Sequence, residues 1–178
     1  MTTKAIQLIP LNENLVDQLI KWRSQPEAQQ HQPITSMSRE QLQKYLKSRG
    51  SENLAELANT DYILIIRDEE LGKDVGWMTL EIMSRLHGLA RIGYTISNDL
   101  WNQGYATTAV RTLVNQLFRE TSIQRVEADC SVNNPASRRV LENCGFRLVG
   151  IKRKYLIIKE QRIDHFYFEL TRDDFLAG

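Results

Sequence analysis

Cysteine is scarce: Cys130 and Cys144 are the only two in 178 residues. Their number and spacing exclude a disulfide scaffold and a zinc site, so both read as reduced, structural thiols. His31, His87 and His165 form no metal-binding motif, and no metal is expected. No apolar run is long enough to cross a bilayer and no signal-peptide core is present, so a soluble cytoplasmic protein is the expectation. Excess charge of one sign is missing too, with 23 Lys and Arg against 22 Asp and Glu. That balance gives no reason to expect nucleic acid or a membrane as partner. Repeats and low-complexity segments are absent. What is there, 42% hydrophobic residues, suffices for the core of a single domain over residues 1–178.

The hydrophobic periods place the elements. Ala5 to Leu11 alternates as a strand. A helix follows, capped by Asn12, with Leu15, Val16, Leu19, Ile20 and Trp22 on its apolar face. Pro26 and Pro33 break the stretch from Ser24 to Ser36 into a loop around His31. Ser38-Arg39-Glu40-Gln41 has the form of a capping box and opens a helix to about Arg49, with Leu42, Tyr45 and Leu46 inward. A short turn is expected over Glu52 to Ala58. Strands over Tyr62–Ile66, Asp74–Met83 and Leu89–Ser97 are joined by short polar turns, which predicts antiparallel neighbours. Ala106, Ala109, Val110, Leu113, Val114, Leu117 and Phe118 recur at helical spacing. Ile123–Val132 is the next strand, and a short helix then runs from an Asn134 cap and Pro135 to Gly145. Phe146–Gly150, Lys152–Ile158 and Ile163–Leu170 close the chain as strands, with a turn at Lys159-Glu160-Gln161. The class is α+β, with one strand-helix-strand crossover at its centre.

That crossover carries the first functional signal. Between its strand and helix lies Trp101-Asn102-Gln103-Gly104-Tyr105-Ala106-Thr107. A helix N-terminus offers unpartnered N–H groups and the positive end of the helix dipole, a ready site for phosphate. Gly104 would let a ligand approach that backbone closely. The same residues also suit a tight turn feeding a core helix.

Taken together, these motifs resemble the GNAT superfamily of acetyl-CoA-dependent N-acetyltransferases. The loop resembles its Arg/Gln-x-x-Gly-x-Gly/Ala signature, with Trp101 in the first position. Asn134-Pro135-Ala136-Ser137, followed by Val140 to Phe146 and Gly150, resembles the second half of that fold. The opening Leu8 to Leu11 with Ile20 to Arg23, then Gly93-Tyr94, and Asp164-His165 with Tyr167 are similar to the RimJ/RimL subgroup. The resemblance implies a mixed, mainly antiparallel sheet splayed between its fourth and fifth strands, with helices on both faces. It implies a bulge in the fourth strand as well.

It also implies roles. The backbone of Trp101, Asn102, Gln103, Gly104, Tyr105, Ala106 and Thr107 would cradle the pyrophosphate of acetyl-CoA, with Thr107 adding a hydroxyl. Ile96 would meet the pantetheine arm, and an N–H near it would polarise the thioester carbonyl as an oxyanion hole. Asn134 would lie beside the cofactor, besides capping its helix. Where many relatives have a tyrosine seven residues on, this chain has Leu141. Ser137, one turn earlier, is the expected proton donor for the departing sulfur, against the alternative of a simple first-turn cap. Cys130 would lie near the cofactor, where it could react with coenzyme A or serve as packing.

The general base is less defined. Arg91 and Lys154 stand where relatives carry carboxylates, which leaves Glu81, Asp164, His165 or water. The acceptor is an amine: a protein N-terminus by subgroup resemblance, or a small molecule such as an amino sugar, polyamine, amino acid or antibiotic. A chain that binds coenzyme A without turnover is the remaining alternative. The acceptor pocket of the enzyme is expected from His31 to Met37 and from Lys154 to Ile163. Either a monomer or a homodimer fits.

Overall fold

A computed structural model describes residues 4–33, 36–48 and 61–178. Seven strands form one sheet in the order β1-β2-β3-β4-β5-β7-β6. They are β1 (Ile6–Pro10), β2 (Asp61–Asp68), β3 (Lys73–Ser84), β4 (Leu89–Ile96), β5 (Arg125–Ser131), β6 (Arg147–Ile158) and β7 (Gln161–Thr171). Among the described residues the α-helices are α1 (Val16–Arg23), α2 (Arg39–Ser48), α3 (Tyr105–Glu120), α4 (Pro135–Asn143) and α5 (Arg172–Ala177). The expected turn over Glu52 to Ala58 lies outside the described residues.

Both faces of the sheet are covered, and β2 shows why. Tyr62, Leu64 and Ile66 share a core with α3, whereas Ile63 and Ile65 pack with α1 and α2. A strand buried on both faces loses polar alternation and reads as a continuous apolar run. Trp22 of α1 stacks on Trp77 of β3 with ring centroids 6.0 Å apart. The expected caps are present. Asn12 Oδ1 accepts from Asn14 N–H at 3.1 Å. Ser38 and Gln41 satisfy each other reciprocally, at 2.8 and 3.1 Å.

The feature that positions the site is the pairing of β4 with β5. These two strands are parallel, and only Leu89–Arg91 pairs with Arg125–Glu127. Beyond those residues β4 runs on to Ile96 and β5 to Ser131 without pairing to each other, so the sheet opens as a V. Every other neighbouring pair is antiparallel.

Several expectations need correction. The β4 register against β3 is continuous from Ile96 to Ala90, and the irregularity falls instead between Ile82 and Ser84 on β3. The splay therefore needs no bulge in β4. Phe146–Gly150 and Lys152–Ile158 are one long edge strand whose register slips twice, near Leu148 and between Lys152 and Leu156. Lys154, inside the second slip, has φ of 49°. The final helix α5 was not expected; Thr171 caps it by accepting from Asp174 N–H.

Candidate active site

The open end of the V brings three elements together: the end of β4, the first turn of α3 and the first turn of α4. Ser97 N–H donates to the Val75 carbonyl at 2.9 Å. Alternation along an antiparallel ladder then turns the backbone groups of Tyr94 and Ile96 away from β3 and toward the gap. Two contacts agree: Ile96 C=O accepts from Trp101 Nε1 at 2.8 Å, and Tyr94 C=O accepts from Gln32 Nε2 at 3.3 Å. The Ile96 N–H therefore faces the gap as well.

At the head of α3, Gly104 takes φ of +84° as the N-terminal cap residue, and its carbonyl receives the Thr108 N–H at 3.0 Å. The N–H groups of Tyr105, Ala106 and Thr107 precede the first intrahelical bond. A Cβ built on Gly104 meets nothing within 4 Å, so the approach to these N–H groups is open. That suits a pyrophosphate. The loop holds its shape through Asn102 at φ of 59° and a Gln103 Nε2 bond to Asp99 C=O at 3.3 Å. Tyr105 offers this site only its backbone. Its ring turns into the core, where the hydroxyl donates to buried Asp68 at 2.7 Å and the Lys4 ammonium lies over the ring.

On the other side of the gap, Asn134 Oδ1 accepts from Ser137 N–H at 3.0 Å, which fixes the first turn of α4. Ser137 Oγ lies 2.9 Å from the hydroxyl of Tyr94, whose oxygen is also 3.1 Å from the Ser137 carbonyl. Sequence reasoning missed this contact, because nothing local links residues 43 positions apart. Burial, first among its causes, pushes the Tyr94 phenol well above its usual pKa, so it stays neutral. Cys130, buried on β5, also interacts with Ser137, and burial pushes its thiol up to about 11. Leu141 is fully buried in the core.

The opposite face of the sheet carries a cleft of about 170 Å³, lined by His31, Gln32, Pro33, Glu81, Arg91, Asp129, Cys130, Asn134 and His165 among others. It reaches the gap from the side away from α3. An adjoining outer groove of about 390 Å³ shares Gln32 and Pro33 and continues over Pro26, Gln29, Ile157, Ile158 and Lys159. The expected acceptor segments are thus both present, although Ile34 and Thr35 lie outside the described residues. Met37 packs instead against the α1–α2 core.

The candidate bases separate clearly. Glu81 and His165 line the cleft. Asp164 does not; its Oδ1 accepts from Lys154 N–H at 2.7 Å and holds the β6 irregularity. His165 is buried, with Nδ1 3.3 Å from the Ile163 carbonyl and its ring edge-on to Tyr155. Arg91 bridges Glu81 at 3.3 Å and Glu127 at 3.8 Å. From there ion pairs continue through Arg125 and Glu169 to Arg147. Among the described residues no cluster of His, Cys, Asp and Glu could hold a metal, and no helix is long and apolar enough to cross a membrane.

Known proteins share this fold. The chain is 25% identical over 174 residues to the uncharacterized N-acetyltransferase p20 of Bacillus licheniformis, covering 97% of this chain and 96% of that one. It is 25% identical over 144 residues to the ribosomal-protein-serine acetyltransferase of Escherichia coli, covering 81% and 72%. Spermidine N-acetyltransferase from Vibrio cholerae, solved with CoA and spermine, superposes with a TM-score of 0.82 at 16% identity, over 96% of this chain and 98% of that one. RimL, a ribosomal L7/L12 α-N-protein acetyltransferase solved with coenzyme A, gives 0.81 at 20% identity over 97% of each. The acetyltransferase (GNAT) domain family matches residues 6–147. With a splayed sheet, an open helix N-terminus and this match, the chain belongs to the acetyltransferase (GNAT) domain family and is an acetyl-CoA-dependent N-acetyltransferase.

Proposed function

We propose that the chain is a RimJ/RimL-type enzyme that acetylates a protein N-terminal amine. The observation that carries this reading is the charge of the acceptor side. In the inner cleft each carboxylate already has a cation: Glu81 has Arg91, and Asp129 has Lys152 at 3.3 Å. Among the described residues the outer groove is lined by proline, isoleucine and glutamine, with Lys159 the charged one. Burial, followed by the Lys159 charge, lowers the His31 pKa below its ordinary value. A polyamine brings further ammonium groups that want carboxylates to replace lost water. A peptide brings one amine followed by neutral amides, which the Gln29 and Gln32 carboxamides can pair, and apolar side chains for Pro26 and Ile157.

The reaction follows from the two sides. The pyrophosphate of acetyl-CoA would lie on the N–H groups at the head of α3, framed by Trp101, Asn102, Gln103, Gly104, Tyr105, Ala106 and Thr107. Ile96 and Asn134 would flank the pantetheine arm in the gap. The amine enters from the cleft and gives up its proton to Glu81 or His165, directly or through water, then attacks the thioester carbon. The Ile96 N–H receives the oxyanion that forms. As the carbon–sulfur bond breaks, its electron pair goes to sulfur and Ser137 supplies the proton. Positioned acids and bases of this kind each contribute ~10²–10⁴ in rate.

The test is a peptide carrying both a free N-terminus and an internal lysine. Incubation with acetyl-CoA and mass-spectrometric fragmentation should place the acetyl group on the terminal nitrogen. Acetylation confined to the lysine, or to spermidine added in competition, would refute the N-terminal assignment.

A further inference from the structure

Tyr94 stands on β4 and Ser137 on α4, so their contact spans the opening where β4 and β5 no longer pair. The phenol has one proton and two acceptors within reach, Ser137 Oγ at 2.9 Å and the Ser137 carbonyl at 3.1 Å. The choice decides what Ser137 can do. If the phenol donates to the carbonyl, its oxygen accepts the serine proton, and Ser137 has nothing to offer sulfur. If the phenol donates to Oγ, the serine proton is released from Tyr94 and turns either into the gap or to Cys130, whose thiol also interacts with Ser137. The phenol dipole then stabilises negative charge that grows on Oγ as that proton leaves. The shorter contact is the one to Oγ. The backbone beneath is fixed by the Asn134 cap, so the serine side chain starts from a set position.

We propose that Tyr94 is a positioning residue that makes Ser137 a proton donor, by giving its own O–H to Ser137 Oγ and leaving the serine proton aimed at the departing sulfur. The proposal rests on N-acetyl transfer through Ser137. The carbon–sulfur bond breaks, sulfur takes the electron pair and the serine proton, and coenzyme A leaves as the thiol. The proton released by the acceptor amine returns through water to Oγ, which the Tyr94 hydroxyl has held meanwhile. Tyr94 keeps its own proton throughout.

Tyr94→Phe removes one oxygen and leaves the ring. Its kcat for acetyl transfer should fall ~10–100-fold while KM for acetyl-CoA stays within about twofold. The double variant with Ser137→Ala should be no slower than Ser137→Ala alone, since both remove the same proton path. Unchanged kcat in the folded Phe variant, or losses that add in the double variant, would overturn the proposal. Should Tyr94→Phe fail to fold, site-specific 3-fluorotyrosine at position 94 keeps the hydroxyl and makes it a stronger donor. It should raise kcat in the Ser137 enzyme and do nothing in the Ser137→Ala enzyme; no rise overturns the proposal. Two other results would remove its foundation and are distinguishable from these. A wild-type chain that acetylates no amine would refute the enzyme reading, and a fully active Ser137→Ala variant would refute the donor.

Discussion

Replacing Gly104 with valine tests the phosphate cradle, and Gly72 supplies an internal control. Both glycines have positive φ, +84° and +60°, and a Cβ built on either meets nothing within 4 Å. Forcing an L-residue into this left-handed region costs ~1–2 kcal/mol at each. One kcal/mol lowers Tm by about 2–4 °C in a chain of this size, so Gly104→Val and Gly72→Val should lose similar Tm. Their effects on acetyl-CoA should differ. At Gly104 the new side chain extends into open space at the head of α3, whereas Gly72 lies in the β2–β3 turn. If two charge-assisted N–H bonds to phosphate are lost, at ~1.5–3 kcal/mol each, affinity falls by ~3–6 kcal/mol, or about 10²–10⁴-fold. Calorimetric titration with acetyl-CoA, beside thermal unfolding of both variants, reads this directly. A folded Gly104→Val protein that binds acetyl-CoA as tightly as Gly72→Val would refute the cradle and return the loop to being a turn.

Other variants separate chemistry from support. Ser137→Ala should lower kcat by ~10²-fold or more with little change in Tm or acetyl-CoA affinity; equal losses of stability and activity would mark it as a cap only. Asn134→Ala should cost ~1 kcal/mol of stability through the lost cap, seen in thermal unfolding. Tyr105 O–H is the leading reason that the Asp68 carboxyl sits below its usual pKa, followed by the Leu71 N–H. Asp68 therefore contributes stability above its unfolded-state pKa of ~3.9, and that contribution is lost as pH falls through the lower folded value. Tyr105→Phe should move the acid-unfolding midpoint to higher pH; an unmoved midpoint would contradict the coupling. Cys130 and Cys144 are both pushed by burial to about 11, so at pH 7.5 less than ~0.1% of either is thiolate. Iodoacetamide should label neither quickly in the native protein, by intact-mass measurement.

What the sequence made legible was what local chemistry writes. Asn12, the Ser38–Gln41 pair, Asn134 and Pro135 mark helix starts because they satisfy nearby N–H groups, and the structure places them there. The strand, glycine turn and apolar helix from Ala90 to Phe118 were equally plain, since period and turn chemistry agree. Longer-range features were not. The Tyr94–Ser137 bond, the balance of Glu81 by Arg91 and the placing of Gln32 over the β4 carbonyl depend on which strands adjoin. The unity of β6 was hidden by Gly150, which reads as a break but lies within a strand whose register merely slips there. Helix α5 was missed because its six residues carry too few apolar positions to set a period.

The most direct test of the account is thiol release from acetyl-CoA with N-terminal peptides and spermidine offered to the same enzyme. If each carboxylate of the cleft is already paired, kcat/KM should be at least ~10-fold higher for peptides with a free α-amine and neutral first residues than for spermidine, and N-terminal blocking should abolish release. Higher kcat/KM for spermidine, or release unaffected by blocking the peptide terminus, would contradict it.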